Sequence, residues 1–260
     1  MRGIILAGGH GTRLSPLTKV VSKQLLPVYN KPMIYYPLST LMLIGIREIL
    51  VISSPKFLNS FKELLGDGQQ FGIKLFYESQ PQPNGIAEAI TIGKEFIQGQ
   101  KCALILGDNL LYGPGLGRDL SNRIGDSGAT ILAYQVANPS EFGVIEFDSN
   151  ENPIDIIEKP KSPKSNWAIP GLYFYDESVI ERVKNVITSS RGEKEITDLN
   201  KSYLKSSELN VIKMQRGTAW LDLGNADSLL EASKFIQIIE NRQGIMIGEP
   251  SEVAKNMNWI

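Results

Sequence analysis

The sequence has very little of the residue types on which several kinds of protein chemistry depend. It contains one cysteine, Cys102, which excludes an internal disulfide and indicates a reducing, cytoplasmic environment. Because Cys102 comes just before an apolar run, we expect a buried, inert thiol there rather than a nucleophile. The one histidine, His10, leaves no set of histidines from which a metal cluster or a catalytic triad could be assembled.

The sequence also has almost no net charge and no long apolar run. The 27 lysines and arginines nearly balance the 28 aspartates and glutamates, so the net charge is −1 and no basic surface for nucleic acid is predicted. No apolar run approaches the roughly 18 residues of a membrane-spanning helix. The chain enters its first strand pattern almost at once, so we expect no signal peptide. These features favour a cytoplasmic protein that binds neither nucleic acid nor membrane.

Short apolar runs of strand length alternate with helical patterns along the 260 residues. Strands are predicted at residues 4–6, 48–53, 73–77, 103–106, 130–135, 143–147, 154–158 and 209–214. Helices are predicted at residues 33–45, 57–65, 86–96, 192–205 and 227–241. This alternation predicts an α/β fold in one domain, with a doubly wound, mostly parallel, Rossmann-like sheet. Ligands bind such a sheet beyond the carboxyl ends of its strands.

A glycine-rich turn, AGGHG at residues 7–11, follows the first strand pattern. Its glycines allow positive φ and a close approach of the backbone to a ligand, and free amide groups in such a turn bind anions. Arg13 and Lys23 follow at distances from which both can reach the same anion. A triphosphate site is the leading interpretation, and a tight turn with two solvated cations is the alternative. Neither G-x-G-x-x-G nor G-x-x-x-x-G-K-[ST] is present.

Two further polar residues follow predicted strands or turns. Asp108 comes after a buried run and a glycine, where a carboxylate is well placed to hold a hard cation. On spacing alone, an aspartate that caps the next turn fits equally well. Gln80 opens a turn rich in proline and glycine, and its amide can pair with the edge of a pyrimidine. A polar loop that caps a helix is the alternative there.

Two longer strings carry a more specific signal. They are L-A-G-G-x-G-T-R-L-x-P-L-T at residues 6–18 and K-Q-L-L-P-V-Y-x-K-P-M-I-Y-Y-P-L at residues 23–38. With them the chain resembles, over nearly its whole length, the sugar-1-phosphate nucleotidylyltransferases, and among them the thymidylyltransferases. The resemblance implies a nucleotide-diphospho-sugar transferase fold with a sugar-binding extension. It also implies an enzyme that makes dTDP-glucose and pyrophosphate from dTTP and glucose 1-phosphate with Mg²⁺, as a homodimer or homotetramer.

The resemblance also implies roles for particular residues. Those implied to bind the nucleotide are Leu6, Gly8, Gly9, Gly11, Thr12, Arg13, Gln24, Gln80, Pro83, Gly85 and Gly107. Those implied to bind the sugar phosphate are Asn109, Gly143, Glu158, Lys159, Ile169, Gly171 and Tyr173. Asp108 and Asp222 are the implied metal ligands, and Arg13, Lys23, Asp108 and Lys159 are the implied catalytic residues. We therefore expect a nucleotide-binding half at about residues 1–110, a sugar-phosphate half at 111–225, and a C-terminal helix with a short tail at 226–260.

The chain departs from the family pattern at several positions. Glu88 replaces a usual glutamine, Phe142 a usual tyrosine and Pro170 a usual threonine. Phe142 and Pro170 each remove a hydroxyl, and Pro170 also lacks a backbone N–H. The same chemistry with UTP or another hexose 1-phosphate therefore stays open.

The family's second, regulatory nucleotide site is only partly matched. Tyr112, Gly113, Arg216 and Gly217 agree with it, but residues 114–118 depart from it. Longer thymidylyltransferases also continue with helices past the equivalent of Ile260. Neither feedback control nor a tetramer therefore follows from the resemblance alone.

Two other classes of protein remain to be weighed. A regulatory protein that binds nucleotide sugars without turnover would be marked by loss of Arg13 or of a metal carboxylate, and these residues are present. A Rossmann-type dehydrogenase is disfavoured by the missing dinucleotide fingerprint.

Overall fold

The structure is a computed structural model that describes residues 1–260, and it contains fourteen strands and nine α-helices. The strands are β1 (Arg2–Ala7), β2 (Pro27–Val28), β3 (Lys31–Pro32), β4 (Glu48–Ser53), β5 (Lys74–Ser79), β6 (Cys102–Leu106), β7 (Asn109–Tyr112), β8 (Ala129–Gln135), β9 (Gly143–Phe147), β10 (Pro153–Glu158), β11 (Trp167–Ala168), β12 (Leu172–Tyr175), β13 (Leu209–Lys213) and β14 (Ala219–Asp222). The helices are α1 (Tyr35–Leu43), α2 (Leu58–Leu65), α3 (Glu88–Ile92), α4 (Lys94–Ile97), α5 (Arg118–Ser121), α6 (Val179–Arg182), α7 (Ile196–Lys205), α8 (Ala226–Gln243) and α9 (Pro250–Asn256).

The chain forms two compact units that are each discontinuous in sequence. Unit 1 consists of Met1 and residues 84–104 and 122–216, and unit 2 consists of residues 2–83, 105–121 and 217–260. The sequence predicts contiguous halves that meet near residue 110, whereas the compact units interleave. The functional halves therefore stay a prediction, and their predicted boundaries do not coincide with those of the units.

Unit 2 contains the parallel part of the central sheet, with the strand order β6–β1–β4–β5. β1 and β4 are parallel with Ile4 opposite Leu50, and β4 and β5 are parallel with Leu50 opposite Phe76. β1 and β4 are apolar on both faces and almost wholly buried. Such continuous apolar runs are what parallel strands covered by helices on both faces require.

Unit 1 contains most of the antiparallel pairs. Its strand order is β10–β9–β11–β8–β12–β6, and β13 pairs with β8. β8 is antiparallel to β11 and β12 but parallel to β13. The central sheet is therefore mixed, with flanking helices, and the predicted α/β class is confirmed.

Most helix predictions are confirmed, and two need correction. The helix predicted at 86–96 is divided into α3 and α4 at Gly93, which ends the first and precedes the second. The helix predicted from residue 192 begins at Ile196, because Lys194 pairs with Thr188 in a β-bridge and Glu193 accepts a bond from the Ser189 amide. A backbone held in extended pairing cannot also enter a helix.

The ribbon formed by β7 and β14 was not predicted, and it lies in unit 2. The two strands are antiparallel, with Asp222 opposite Asn109 and Ala219 opposite Tyr112. A buried apolar cluster joins the ribbon to α1, α8 and the β2–β3 hairpin, and it consists of Val28, Met33, Tyr36, Leu110, Leu223, Ala232, Ile236 and Ile247. This packing fixes the ribbon on the helices beneath it.

No helix combines the length and the apolar composition that a membrane-spanning segment needs.

Candidate active site

The glycine turn lies at the carboxyl end of β1, in unit 2. Gly9 and Gly11 have φ of 87° and 58°, in the left-handed region that glycine adopts without strain. The Thr18 hydroxyl and the Leu14 amide donate to the Gly11 carbonyl at 2.8 and 2.9 Å. A Cβ on Gly8 would lie 2.7 Å from Oε1 of Gln80, so only glycine allows that amide its present position. The turn is therefore tightly determined, as an anion-binding loop requires.

Gln24 connects the loops that follow β1 and β6. Its Nε2 donates to the Gly8 carbonyl at 3.3 Å, and its Oε1 accepts from the Ser22 hydroxyl at 2.6 Å. A Cβ on Gly107 would lie 2.9 Å from Cγ of Gln24. The Gly107 amide also donates to the Leu6 carbonyl at 2.9 Å. These contacts place the predicted nucleotide residues Leu6, Gly8, Gln24 and Gly107 together.

Asp108 lies directly after Gly107 and faces a cation. Its Oδ2 forms an ion pair with Nζ of Lys23, and both side chains are largely buried, at 12% exposure for Lys23 and 16% for Asp108. Its Oδ1 accepts a hydrogen bond from Nδ2 of Asn109 at 3.2 Å. The Asp108 carboxylate thus has one cationic and one neutral hydrogen-bonding partner, and its role as a metal ligand stays a prediction.

The ribbon brings Asp222 to the same place. Asp222 stands opposite Asn109 in the β7–β14 pair, and the Leu223 amide donates to the Asp108 carbonyl at 3.0 Å. A Cβ on Gly224 would lie 2.9 Å from Nη2 of Arg13 and 3.0 Å from Oδ2 of Asp222. Arg13 and Asp222 are therefore neighbours on either side of Gly224. Four predicted site residues, from segments far apart in sequence, converge in one unit.

The two carboxylates are suited to one particular kind of metal site. The chain holds no group of three or more histidine, cysteine, aspartate or glutamate side chains that could bind a metal. Mg²⁺ commonly takes only one or two carboxylates and completes its shell with water and substrate phosphates. Asp108 and Asp222 fit a Mg²⁺ ion that binds together with a nucleotide.

Unit 1 brings together several of the predicted sugar-phosphate residues. The Thr197 hydroxyl donates to Oε2 of Glu158 at 2.6 Å. A Cβ on Gly143 would lie 3.3 Å from the same oxygen, and the Gly143 carbonyl accepts from the Ile169 amide at 2.8 Å. Glu158 is thus held at the edge of β9 and β10 with part of its carboxylate exposed.

Lys159, Gly171 and Tyr173 occupy different surroundings. Lys159 is exposed and has a φ of 42°, and its amide donates to the Phe142 carbonyl at 3.0 Å. Gly171 is buried just before β12, and Tyr173 lies on β12 opposite Ile131 with 4% exposure. Unit 1 therefore contains an exposed cation directly after β10 and a buried ring on β12.

Arg191 is a charged residue that sequence reasoning missed. Its guanidinium lies 3.1 Å from carboxylate oxygens of Glu195 and Glu193 and 3.6 Å from Glu158. Burial alone would lower the pKa of Arg191, but the three carboxylates outweigh burial. The pKa of Arg191 is therefore raised above its ordinary value. In the sequence it stands in a polar loop, SSRGEKE, which carries no signal that separates it from an ordinary surface arginine.

The predicted base-reading residues divide between the two units. Gln80 and Pro83 belong to unit 2, and Gly85 belongs to unit 1. Gly85 has a φ of 107°, and a Cβ there would lie 2.4 Å from the Lys194 carbonyl oxygen. The departure at Glu88 is engaged in the same turn, since its Oε1 accepts from Nδ2 of Asn84 at 2.9 Å. Glu88 therefore stabilises the turn that carries Gly85.

The expectation for Cys102 is confirmed. Its side chain is fully buried, and burial raises the pKa of its thiol to about 12, with a smaller contribution from Asp176. His10 is exposed in the glycine turn. Cys102 is therefore not placed to act as a nucleophile.

A separate cavity of about 490 Å³ lies within unit 2, where the resemblance places a second nucleotide site. Its lining residues are Tyr36, Ser39, Thr40, Leu43, Leu111, Tyr112, Gly113, Pro114, Leu116, Gly117, Gly217, Ile247 and Gly248. None of these side chains is charged, and Arg216, which matches the family site, is not among them.

Comparison with known proteins adds independent information. A family model described as Nucleotidyl transferase matches residues 2–238. A glucose-1-phosphate thymidylyltransferase from Mycolicibacterium smegmatis is 55% identical over 260 residues, which covers 100% of this chain and 90% of the relative. One from Mycobacterium tuberculosis is 54% identical over 260 residues, with the same coverage of 100% and 90%.

A solved structure agrees with these relatives. A Bacillus anthracis protein assigned as a glucose-1-phosphate thymidylyltransferase, solved in complex with a sucrose, has a TM-score of 0.82 and 38% identity. The alignment covers 90% of this chain and 94% of that chain. Matches of this extent confirm the resemblance found in the motifs: the chain belongs to the nucleotidyl transferase family and is related to the glucose-1-phosphate thymidylyltransferases.

Proposed function

We propose that the protein is a glucose-1-phosphate thymidylyltransferase, which forms dTDP-glucose and pyrophosphate from dTTP and glucose 1-phosphate. The observation that carries the proposal is the convergence of Arg13, Lys23, Asp108 and Asp222 within unit 2. Two cations and two carboxylates near the carboxyl ends of β1 and β6 are suited to a triphosphate and its metal, with Asp222 supplied by the antiparallel ribbon. The thymidylyltransferase relatives support the choice of reaction.

In the proposed reaction an oxygen of the sugar phosphate attacks the α-phosphorus of dTTP. The new P–O bond forms as the bond to the β-phosphate breaks, and pyrophosphate leaves on the opposite side with the electron pair. Because the attacking oxygen is already ionised, no general base is needed, and a chain with a single histidine and no catalytic triad fits this. The protein's main tasks are therefore to position two anions and to neutralise their charge.

Each charged residue has a part in these tasks. The planar guanidinium of Arg13 binds the leaving pyrophosphate through two parallel hydrogen bonds. Lys23, once released from Asp108, contacts the α-phosphate or the pyrophosphate. Lys159 holds the attacking phosphate, and Glu158 accepts hydrogen bonds from sugar hydroxyls. Gln80 and Gly85 contact the thymine base.

Asp108 and Asp222 would hold Mg²⁺ at the α-phosphate. When bound, Mg²⁺ supplies charge neutralisation on the phosphate oxygens at the α-phosphorus. The carboxylate of Asp108 carries Lys23 as its counter-ion.

The experiment that tests the proposal is pyrophosphate release from purified protein with Mg²⁺. The nucleotides dTTP, UTP, CTP, ATP and GTP are crossed with several hexose 1-phosphates. We expect fast release with dTTP and glucose 1-phosphate, and at least a 100-fold loss in Asp108→Asn with the fold retained, because a neutral amide binds Mg²⁺ poorly. Wild-type rates from a folded Asp108→Asn variant would remove Asp108 from the mechanism.

A second candidate is the same chemistry with a different substrate pair. It is motivated by Glu88, Phe142 and Pro170, and a best pair that contains UTP or another hexose 1-phosphate would establish it. No release with any pair, together with measurable binding of nucleotide sugars, would instead identify a non-catalytic regulatory protein. A homodimer or homotetramer and a cytoplasmic location stay predictions from the sequence.

A further inference from the structure

A chain of two hydrogen bonds, the first buried and the second partly buried, runs from the ribbon to the proposed metal site. Nε1 of Trp220 donates to Oδ1 of Asn109 at 2.6 Å, and Nδ2 of Asn109 donates to Oδ1 of Asp108 at 3.2 Å. Asn109 is 2% exposed and Trp220 is 8% exposed. All three residues belong to unit 2. The indole thus acts on the carboxylate through one intervening amide.

The chemistry of the three groups allows this arrangement in one orientation only. An indole N–H is a donor and never an acceptor, so the side of the Asn109 amide that faces Trp220 must be its oxygen. An ionised carboxylate is an acceptor and never a donor, so the side that faces Asp108 must be the NH₂ group. With the amide reversed, both contacts would set like groups against each other. The indole therefore decides which way the amide points.

The geometry of the β7–β14 ribbon explains why Trp220 can reach the proposed metal site. Trp220 and Asp222 are two residues apart on β14, so their side chains lie on the same face of the strand. Asp222 stands opposite Asn109 in the register with β7. β14 therefore delivers one proposed metal ligand directly and orients the other through Asn109.

We propose that Trp220 is a positioning residue for the metal site, which holds the Asn109 amide so that Asn109 fixes the carboxylate of Asp108. The inference rests on the proposed role of Asp108 as a Mg²⁺ ligand. It also gives Asn109 a task besides the sugar contact that the resemblance implies. Groups that orient metal ligands in this way are worth about 10- to 100-fold in metal affinity or activity.

The first test follows the indole itself by ¹H–¹⁵N NMR of the full chain. The three tryptophans, at positions 167, 220 and 259, give three indole signals that Trp→Phe variants assign. Asn109→Leu should move the Trp220 indole proton upfield and speed its exchange with solvent, and leave the other two signals in place. An unchanged Trp220 signal in Asn109→Leu would overturn the proposed bond.

The second test measures Mn²⁺ binding by electron paramagnetic resonance, with dTTP at one fixed concentration and no sugar phosphate, so that the nucleotide is bound and turnover does not occur. We expect a 10- to 100-fold weaker affinity in Trp220→Phe, which keeps an aromatic ring but removes the donor. Trp167→Phe, in unit 1 against Phe147, is the matched control and should bind Mn²⁺ like wild type. In steady-state kinetics, the Mg²⁺ concentration for half-maximal rate should rise by the same factor, with little change in KM for the sugar phosphate. A general structural defect would also raise KM for the sugar phosphate, whereas loss of a positioning contact should change the metal dependence alone.

Asp108→Asn separates failure of this inference from failure of the proposed function. If Asp108→Asn binds Mn²⁺ like wild type, the metal assignment itself is wrong. If Asp108→Asn loses Mn²⁺ but Trp220→Phe keeps wild-type affinity, only the positioning role is wrong. Should Trp220→Phe fail to fold, Asn109→Leu makes the same prediction for Mn²⁺ affinity and decides the question.

Discussion

At the scale of single residues, glycines determine which charged groups can share the proposed site. Gly224 is buried between Arg13 and Asp222, and Gly8 leaves room for the amide of Gln80. In both positions a methyl group would occupy space that a functional side chain now fills. These glycines therefore matter because a larger residue would displace a functional side chain. At Gly85 a side chain would meet the Lys194 backbone, and the positive φ there also favours glycine.

Gly224→Ala should lower turnover while leaving stability nearly unchanged. The added Cβ would lie 2.9 Å from the end of Arg13 and 3.0 Å from the end of Asp222, so these flexible tips move rather than the backbone. Misplacement of about 1 Å in a reacting arrangement costs on the order of 100-fold in rate. Pyrophosphate release and thermal melting measure the two effects. A variant that melts like wild type and also turns over like wild type would contradict the proposed role of this pair.

Lys159→Ala should raise KM for glucose 1-phosphate about 10- to 100-fold and change KM for dTTP little. Loss of a hydrogen bond to a charged group costs about 1.5–3 kcal/mol, which corresponds to that factor. Backbone strain at the positive φ of this residue is the same in both proteins, since alanine and lysine both carry a Cβ. Lys161→Ala, at another exposed lysine of the same loop, is the control and should leave both constants unchanged.

At the scale of elements, α8 supports the site without touching a substrate. It begins at Ala226, two residues after Gly224. Its buried side chains Ala232 and Ile236 pack in the cluster that contains Leu110 of β7 and Leu223. Its start is determined by a capping box in which Asn225 accepts from the Ser228 amide and the Ser228 hydroxyl accepts from the Asn225 amide. The stability of α8 therefore sustains the ribbon.

Asn225→Ala should lower the free energy of unfolding by about 1 kcal/mol, the usual cost of a lost N-cap. Chemical denaturation measures this, and Glu231→Ala, at an exposed position within α8, is the control. Because the helix stays formed, turnover should remain close to that of wild type. A stability equal to that of wild type would show that the cap contributes nothing.

A buried ion pair also fastens α8 to the β2–β3 hairpin. Nζ of Lys31 lies 2.7 Å from Oε1 of Glu240, with side-chain exposures of 4% and 7%. Burial alone would raise the pKa of Glu240, but bonds from Lys31 and from the Ile247 amide outweigh it, with a further bond from Asn30. The pKa of Glu240 is consequently lowered from its ordinary value of 4.5.

This shift predicts how stability depends on pH. A lowered pKa means that the ionised carboxylate stabilises the folded state above pH 4.5 and loses that effect as pH falls through the folded-state value. Glu240→Gln leaves Lys31 buried without its charge partner, so it should cost about 3–5 kcal/mol near pH 7. The difference from wild type should shrink below about pH 4.5, where wild-type Glu240 becomes neutral as well. Denaturation curves between pH 3 and 7 measure the difference, and a gap independent of pH would contradict the assignment.

At the scale of the whole molecule, binding of the correct nucleotide should stabilise the chain. With Mg²⁺ present and dTTP at 100 times its dissociation constant, linkage predicts about 2.7 kcal/mol of added stability. NAD is the control, because the dinucleotide fingerprint is missing and the family is that of the nucleotidyl transferases. Thermal melting with each ligand measures the effect. Stabilisation by NAD but not by dTTP would contradict the proposed function.

The strands and longer helices could be predicted because their signals are local. β4 lies at Glu48–Ser53, as the apolar run predicts, and α8 ends at Gly244, which adopts the left-handed conformation expected after a helix. Gly93 is an instance in which the local pattern misled, since one continuous helical spacing became two short helices. The helical spacing of apolar residues was interpreted correctly as helix, but Gly93 ends the first helix and so divides the segment in two.

The ribbon could not be predicted from the residues alone. β7 and β14 are four residues each, and each finds its partner on a segment distant in sequence. The same pairing brings Asp222 next to the backbone of Asp108, which the sequence indicated only through a resemblance. The bond from Trp220 to Asn109 follows from that pairing too, and no spacing in the sequence announces it.

The sequence by itself determined the α/β class, the glycine turn and the family, because apolar periodicity and contiguous motifs are properties of neighbouring residues. Only the tertiary structure decided which charges come close: Lys23 pairs with Asp108, Arg191 lies near Glu158, and Arg13 and Asp222 lie on either side of Gly224. The physical reason is that apolar periodicity forms the strand and places its end at the edge of the sheet, independently of which polar residue follows the strand. Which side chains then come within a few ångströms depends on strand order and register, and these are set by packing across the whole molecule.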